Sequence, residues 1–303
     1  MSARWPDFLI VGAPKCGTTS LYAYLRSHPQ VFLPEMKEPD FFCLPEYDHA
    51  RLGMKAVAAD EKEYLALFEE AGDDVVAGEA STNYLLFPTV PGNIRARLGD
   101  SVRIVALLRD PVAVMHSLWS MFTRFGWEHR SAAKALLASR LDEPLTPETY
   151  GLGEGGFLYA RRVHYAEQLK RYLDLFPAER VKILFFEEFF RPGLPAYPDL
   201  CRFLGVTDDH RPQAETHNEG YAVRSSRLVR FLNDQYPRFF YPLVRRLTPQ
   251  GLRSGLKSRL LRFNKTAKAS LDLQLRDELR RRLAPSVREL ERLLGKDLST
   301  LWF

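Results

Sequence analysis

A glycine-bounded loop with a lysine inside it is the segment of this chain best suited to chemistry. Residues 8–19 read FLIVGAPKCGTT, so an apolar stretch leads into the loop and a helical pattern follows from Thr18. Such a loop binds anions, because its backbone N–H groups point inward and the dipole of the next helix favours negative charge. The spacing of Gly12 and Gly17 fits the nucleoside-triphosphate loop GxxxxGK[ST], but Thr18 stands where that loop has lysine. Lys15 would therefore meet a different atom of the bound anion.

The elements that must position this loop alternate between strands and helices. Strands are predicted at residues 8–12, 75–81, 102–108 and 181–186. Helices are predicted at residues 18–27, 61–71, 111–124, 158–175, 196–205 and 271–294, with Pro285 opening a second piece of the last one. Alternation of this kind is typical of right-handed βαβ units and a parallel sheet. We expect an α/β fold, a single domain over residues 1–303 with a central parallel sheet flanked by helices and a phosphate-binding loop after strand one.

Polar residues that could act on a ligand fall at the carboxyl ends of three predicted strands. These residues are Lys15, Glu79 and Arg109. In open α/β sheets, ligands bind beyond the carboxyl ends of the strands. We therefore expect the three side chains to share a cleft.

Three segments taken together resemble the sulfotransferases that use 3′-phosphoadenosine 5′-phosphosulfate (PAPS). Residues 12–20 are similar to the loop that holds the 5′-phosphosulfate of the donor, and residues 108–117 to the strand and helix that hold its 3′-phosphate. Residues 37–42, KEPDFF, are similar to a segment of the heparan-type carbohydrate sulfotransferases and their bacterial relatives. The likeness continues through shorter segments at 156–161, 185–188 and 203–205, and so covers most of the first 220 residues.

The resemblance implies a donor site at two neighbouring strand ends. Lys15 would stabilise the charge that develops on the bridging oxygen as adenosine 3′,5′-bisphosphate leaves. Arg109, which carries a planar fork of donors, and Ser117 would contact the 3′-phosphate. The other donor-binding residues that it implies are Cys16, Gly17, Thr18, Thr19 and Ser20. We expect no metal, because the cations and the loop amides supply the positive charge.

Two of these donor-site assignments leave an alternative open. Cys16 could be a nucleophile, although a small loop residue is the favoured interpretation. Arg224, in a late loop over residues 216–228, is either a second phosphate contact or a solvated side chain.

A base must take the proton of the acceptor hydroxyl, and two glutamates compete for this role. Glu38 matches the glutamate that serves as base in the heparan-type branch, and the apolar Pro39 and Phe41 would shield it from water. Glu79, at a strand end, is the alternative. His116 lies within the helix that would hold the 3′-phosphate, and we expect it to be a packed helix residue.

The segment 37–42 departs from the heparan-type pattern, as does the strand that ends near residue 80. Asp40 stands where that pattern often has histidine, and Ala80 where a lysine is common. Both departures argue against a highly anionic glycosaminoglycan as the acceptor.

The basic charge of the chain is concentrated in one segment. Residues 224–268 hold twelve lysines and arginines and a single acid, Asp234, although the whole chain has a net charge of +5. Aromatic residues interleave with these arginines. One function would be docking on an anionic membrane or a lipid-linked acceptor. Helices packed on the core with an arginine-rich solvent face are the favoured alternative. Nucleic-acid binding is not expected, because no recognition module is readable.

The bulk composition fits a soluble enzyme of the reducing cytoplasm. The three cysteines show neither a disulfide framework nor metal-ligand spacing, and we find no secretory signal and no apolar run long enough to span a membrane. The function expected is transfer of a sulfuryl group from PAPS to a hydroxyl, or an amine, of a carbohydrate, glycolipid or small metabolite. The alternatives are a phosphate-loop nucleotide kinase or NTPase, and a non-catalytic nucleotide-binding or membrane-docking module.

Overall fold

A parallel β-sheet forms the centre of the protein. The computed structural model describes residues 4–43, 58, 60–142, 144–145, 157–212, 222–223, 265–266 and 270–302. Its central strands are β1 (Phe8–Gly12), β2 (Val31–Phe32), β3 (Val76–Ala80), β4 (Arg103–Leu108) and β5 (Val181–Phe185). They pair in parallel in the order β2-β3-β1-β4-β5. The α/β fold with a central parallel sheet that the sequence predicts is therefore confirmed.

Helices flank this sheet and connect its strands. Those of the described ranges are α1 (Thr18–Arg26), α2 (Glu61–Ala66), α3 (Val90–Leu98), α4 (Pro111–Phe125), α5 (Ala132–Ala138), α6 (Tyr165–Leu173), α7 (Phe186–Phe189), α8 (Tyr197–Leu204), α9 (Leu273–Leu294) and α10 (Ser299–Trp302). Short 3₁₀ turns are formed by Phe41–Cys43, Arg161–Val163 and Ala178–Arg180. A separate antiparallel pair joins β6 (Ala222–Val223) to β7 (Lys265–Thr266), and β6 lies against α4.

The strand order reverses direction at β1. All five residues of β1 are buried, and Ile10 aligns with Ala80 of β3 on one side and with Val105 of β4 on the other. From β1 the chain continues to β2 and β3 on one side, and only later to β4 and β5 on the other. The loops that leave β1 and β4 therefore diverge, and a crevice at such a point is where open α/β sheets bind ligands.

Helix α4 begins directly after β4 because its first turn carries strong start signals. Pro111 occupies the first helical position, and the Asp110 carboxylate accepts the Val112 N–H at 2.9 Å. The helix ends at Gly126, which adopts a left-handed conformation with φ of 78°. Both ends of α4 are thus fixed.

Two helices are shorter than their apolar spacing predicts. Residues 158–175 were expected to form one helix, but α6 begins only at Tyr165, because Leu158 has a φ of +51° and a 3₁₀ turn follows it. Leu158 and Val163 are buried all the same, so their apolar character did not require a helix. In the predicted helix 61–71, the α-helical part ends at Ala66, and tighter i to i−3 hydrogen bonds replace it.

Helix α9 is continuous, contrary to the prediction that Pro285 opens a second helix. Its buried apolar stripe runs through Leu279, Leu283, Val287 and Leu290, and keeps the same phase on both sides of the proline. This stripe packs on α4, α5 and α6. The packing holds the helix together although proline lacks the N–H that one intrahelical bond needs.

Candidate functional site

The loop after β1 ends in an uncapped helix N-terminus. Gly17 is the N-cap residue of α1, with φ of +92°, and no side chain caps the helix. The first N–H groups of a helix have no intrahelical partner, so they are available to an anion. Thr18 is buried, Thr19 is exposed and Ser20 is half-buried. The local geometry thus matches the anion site that the sequence suggests, while the roles of these residues stay predictions.

Arg109 lies against this loop. Its Nη1 donates to the carbonyl oxygen of Lys15 at 3.3 Å, and its guanidinium carbon lies 4.2 Å from the centre of the Phe186 ring. Phe186 and Phe190 also pack against Gly17, where an added Cβ would lie 2.6 Å from the Phe190 ring. The carboxyl ends of β1, β4 and β5 therefore meet, and Lys15 and Arg109 lie together as the sequence predicts.

The rest of the expected donor site lies along α4. The Lys15 ammonium lies 3.8 Å from the Met121 sulfur, and Ser117 is half-buried one turn nearer the helix start. His116 is buried with its ring stacked on Trp119, as expected of a packed helix residue. Arg224 lies outside the described residues.

Cys16 is enclosed by the protein and cannot serve as a nucleophile. Its side chain is fully buried, with the sulfur 3.8 Å from the Tyr165 hydroxyl. Burial raises the pKa of the thiol to about 12. The thiol therefore stays protonated at neutral pH, in keeping with a small loop residue.

Glu38 is connected to the start of α1 through its neighbour. Its carboxylate accepts from the Lys37 ammonium at 2.7 Å and from the Thr82 hydroxyl at 3.4 Å. The same ammonium donates to the Thr18 hydroxyl at 3.4 Å. Lys37 is a residue that sequence reasoning missed as part of the site, although it opens the segment 37–42. This contact places a carboxylate, an ammonium and the uncapped helix start side by side.

The expectation that Phe41 shields Glu38 from water is wrong. The Phe41 ring turns inward and stacks on Tyr64, with ring centres 4.4 Å apart. The Glu38 side chain is 41% exposed. Its carboxylate is therefore accessible and held by Lys37, and it is not enclosed by apolar groups.

Glu79 lies beneath this segment and does not open onto a cleft. Its carboxyl group is fully buried and accepts from the hydroxyls of Ser81, at 2.9 Å, and Tyr64, at 3.3 Å. Burial raises its pKa to about 8, so it is largely protonated at neutral pH. Ser81 in turn accepts the Asp40 N–H at 3.0 Å. Glu79 thus anchors the segment that carries Glu38, and the expectation that its side chain shares a cleft with Lys15 and Arg109 is wrong.

Asp40 is a second buried acid in the same segment. Its backbone φ is +52°, and one carboxylate oxygen accepts from the Asn83 amide at 3.0 Å. Burial, and then the charge of Glu38, raise its pKa to about 7. A partly neutral Asp40 therefore lies close to the ionisable group of Glu38.

Helix α9 contributes basic residues to the start of α4. A cavity of about 420 Å³ lies between the two helices, with Asp110, His116, Ser270, Arg276 and Arg280 in its lining. The sequence alone did not indicate the two arginines, because they lie more than 150 residues from Arg109. They add positive charge beside the strand end that carries Arg109.

A carboxylate bridge fixes the beginning of α4 from the far side. Glu187 accepts the Asp110 backbone N–H at 3.0 Å with one oxygen and the Trp302 indole N–H at 3.1 Å with the other. The residues that follow β4 and β5 are thereby tied to α10.

In the described part of the chain, no group of three or more His, Cys, Asp or Glu is arranged to hold a metal. No helix in the same ranges has the length and apolar character that crossing a membrane requires.

Comparison with known proteins identifies the family to which this geometry belongs. The family model of the sulfotransferase domain matches residues 5–223, which is most of the chain. The chain belongs to the sulfotransferase family. The crystal structure of a sulfotransferase from Alicyclobacillus acidocaldarius superposes with a TM-score of 0.71 at 28% identity, covering 98% of this chain and 99% of that one. The resemblance read from the sequence is therefore confirmed.

Curated relatives match over shorter stretches. Carbohydrate sulfotransferase 15 of Homo sapiens is 28% identical over 163 residues, which are 42% of this chain and 28% of the human protein. The membrane-associated sulfotransferase kil1 of Dictyostelium discoideum is 30% identical over 107 residues, 35% of this chain and 21% of that protein. The matches thus span less than a third of the length of these relatives.

Proposed function

We propose that this sulfotransferase uses PAPS as donor and transfers its sulfuryl group to a hydroxyl, or an amine, of a carbohydrate, glycolipid or small metabolite. The observation that carries the proposal is the contact between Arg109 and the Lys15 loop at the point where the strand order reverses. An uncapped helix start and a guanidinium at neighbouring strand ends suit a nucleotide with anionic groups at both ends of its ribose. The similarity to a carbohydrate sulfotransferase supports a sugar acceptor.

The proposed reaction is an in-line displacement at sulfur. The acceptor oxygen forms a bond to sulfur while the bond from sulfur to the bridging phosphate oxygen breaks. The electron pair of the breaking bond goes to the bisphosphate, where Lys15 stabilises it. Arg109 and Ser117 hold the 3′-phosphate, and the amides and hydroxyls over residues 16–20 hold the other end. Positioning and charge stabilisation are the main sources of catalysis in such transfers.

Glu38 is the proposed base, which takes the proton of the acceptor group. Its exposed carboxylate can reach an acceptor, whereas Glu79 is buried and protonated. Lys37 bridges Glu38 to Thr18, so base and donor loop are held in one arrangement. Docking of the basic segment 224–268 on an anionic membrane or a lipid-linked acceptor stays the alternative to its packing on the core, and all of the segment except residues 265–266 lies outside the described residues.

Calorimetry with adenosine 3′,5′-bisphosphate tests the donor assignment. Metal-free binding of the bisphosphate, with indifference to ATP and Mg²⁺, is expected of the wild type. Arg109→Ala should weaken that binding about 10- to 100-fold, because charge-assisted hydrogen bonds are lost. Arg292→Ala, which removes an exposed arginine on α9, is the matched control. Preferential binding of ATP with Mg²⁺ would support a kinase and contradict the proposal.

Turnover with isotopically labelled PAPS tests the catalytic residues across a panel of sugars, lipids and phenols. Lys15→Ala should lower kcat about 10²- to 10³-fold, with Lys62→Ala, an exposed lysine of α2, as control. Glu38→Gln should lower kcat about 10²- to 10⁴-fold, while Glu79→Gln and the exposed Glu35→Gln keep it. An unchanged kcat in Glu38→Gln would exclude Glu38 as the base.

A further inference from the structure

Two half-exposed aromatic rings lie at the end of the helix that contacts Lys15. Phe125 is 37% exposed and Trp127 is 41% exposed, and their ring centres lie 4.9 Å apart. Most aromatic side chains in the described ranges are buried, so this pair is unusual. We call Phe125 and Trp127 the aromatic platform.

The platform is continuous with the proposed transfer site. Met121, whose sulfur contacts the Lys15 ammonium, and Phe125 are four residues apart on α4 and therefore share one face of the helix. Four residues advance the helix by about 6 Å. A molecule that lies along this face from the platform would reach the ammonium within little more than one helical turn.

Trp127 is held in place by its own backbone. Gly126 turns the chain back at the end of α4, and the Trp127 N–H donates to the Phe122 carbonyl at 2.9 Å. The indole then lies over the buried Phe122 ring, with centres 6.0 Å apart. The ring is thus ordered before any ligand arrives.

A buried carboxylate fixes the turn that follows. Glu128 accepts from the backbone N–H groups of His129 and Arg130, from the Arg130 guanidinium at 2.8 Å and from the Tyr159 hydroxyl at 3.0 Å. Burying a charge is costly unless it is fully hydrogen-bonded. This bonded arrangement holds an exposed tryptophan in a defined position, which is how binding sites are pre-organised.

The surroundings of the platform suit a sugar ring. Arg124 lies with its guanidinium carbon 5.2 Å from the Phe125 ring centre, and the exposed His129 follows Glu128. A sugar presents an apolar C–H face that packs on an aromatic ring and hydroxyls that bond to such polar neighbours. Two rings beside an arginine and a histidine are a small apolar area, whereas docking of a protein or a lipid surface calls for a larger contiguous patch.

We infer that Phe125 and Trp127 form the acceptor subsite and that the acceptor is a saccharide, one sugar ring of which stacks on the platform while a hydroxyl of the next is presented to Lys15 and Glu38. The inference rests on the proposed function and adds to it the acceptor class and the residues that select it. Trp127 and Phe125 bind the acceptor and take no part in donor binding.

An assay of transfer from labelled PAPS to a panel of acceptors tests the inference. The panel contains neutral and uronic-acid-containing oligosaccharides, a simple phenol, and a long-chain alcohol in phosphatidylcholine vesicles. At least one oligosaccharide should accept label. Trp127→Ala and Phe125→Ala should each raise KM for it about tenfold while kcat changes less than about threefold, since stacking area is lost and the reacting groups are kept. Trp127→Tyr should restore most of the affinity. Leu273→Ala removes an exposed apolar side chain elsewhere and is the matched control.

The bisphosphate affinity and the Tm of each variant separate binding from folding. Both should equal those of the Leu273→Ala control, because both rings of the platform are more than a third exposed and take no part in donor binding. Transfer to the phenol or the alcohol alone, or an unchanged saccharide KM in both alanine variants, overturns the saccharide inference and leaves the sulfotransfer from PAPS intact. Absence of bisphosphate binding and of any transfer overturns the proposed function, and the inference with it.

Discussion

Replacing Gly17 by alanine should destabilise the protein by about 1–5 kcal/mol, which is the sum of two costs less one smaller gain. The first cost is conformational, because Gly17 has a φ of +92° and a left-handed backbone costs alanine about 1–2 kcal/mol. The second is steric, because the new Cβ would lie 2.6 Å from the Phe190 ring and 3.1 Å from the Phe186 ring. Overpacking of this kind costs about 1–3 kcal/mol. Alanine also lowers the conformational entropy of the unfolded chain, which offsets about 0.4–1 kcal/mol of this destabilisation.

Thermal unfolding of two alanine variants separates these costs. Gly295 is also left-handed, with φ of +60°, and nothing lies within 4 Å of an added Cβ, so Gly295→Ala carries only the conformational cost. An unfolding entropy of about 2.1 cal/mol/K per residue converts the loss in Gly17→Ala to a fall in Tm of about 2–7 °C, against about 0–3 °C for Gly295→Ala. The steric cost, which only Gly17→Ala carries, accounts for about 2–5 °C of the fall. Gly92→Ala, in α3 with open space around it, should leave Tm unchanged or raise it slightly.

Gly17→Ala should also lower the affinity for the nucleotide. Phe186 carries the Arg109 guanidinium, so displacing its ring should weaken binding of adenosine 3′,5′-bisphosphate about tenfold in calorimetry. Equal Tm values for Gly17→Ala and Gly295→Ala would refute the reasoning, because they would mean that the aromatic rings impose no steric limit on this position.

Three further measurements follow from the structure. Phe186→Leu should weaken bisphosphate binding about 2- to 30-fold in calorimetry, since the cation–π contact that orients Arg109 is lost; unchanged affinity would show that Arg109 needs no such support. Because burial raises the pKa of Glu79 to about 8 in the folded protein, stability should fall as pH rises from about 4.5 to 8, and urea titrations of Glu79→Gln should show a shallower fall; an equal slope would contradict this assignment. All three cysteines are buried, so a thiol reagent should label the native protein far more slowly than the urea-unfolded one, and rapid native labelling would count against the described core.

The sequence predicts well those elements whose local signals are strong. Strand β1 has the predicted bounds, and α1 ends one residue earlier than expected, because an unbroken apolar run and two glycines mark them. The signals that end β4 before Arg109 and begin α4 at Pro111 are also local in the sequence. These signals suffice to bring Lys15 and Arg109 to the same edge of the sheet.

Tertiary contacts account for what the sequence did not reveal. Phe186 was predicted to end a strand, but it begins α7 and supports Arg109 across two strand ends. Phe41 was expected beside Glu38, but the aromatic cluster around Tyr64 draws it inward. The spacing of apolar residues identifies which residues are buried but does not show whether their backbone is helical. The predicted helix at 158–175 therefore starts before the observed one, which begins at Tyr165. The assignments of the site residues themselves stay predictions until the proposed variants are measured.

The carboxylate bridge from Asp110 through Glu187 to Trp302 bears on how this enzyme can be recombined with its relatives. The family model matches residues 5–223, whereas the indole that completes the bridge lies far downstream. A chimera that exchanged α9 and α10 alone, with no tryptophan at position 302, would leave the Glu187 carboxylate beside Asp110 without the indole N–H that donates to it. Functional hybrids should therefore exchange α7 and α10 jointly, because Glu187 and Trp302 couple the two helices although these residues are 115 positions apart.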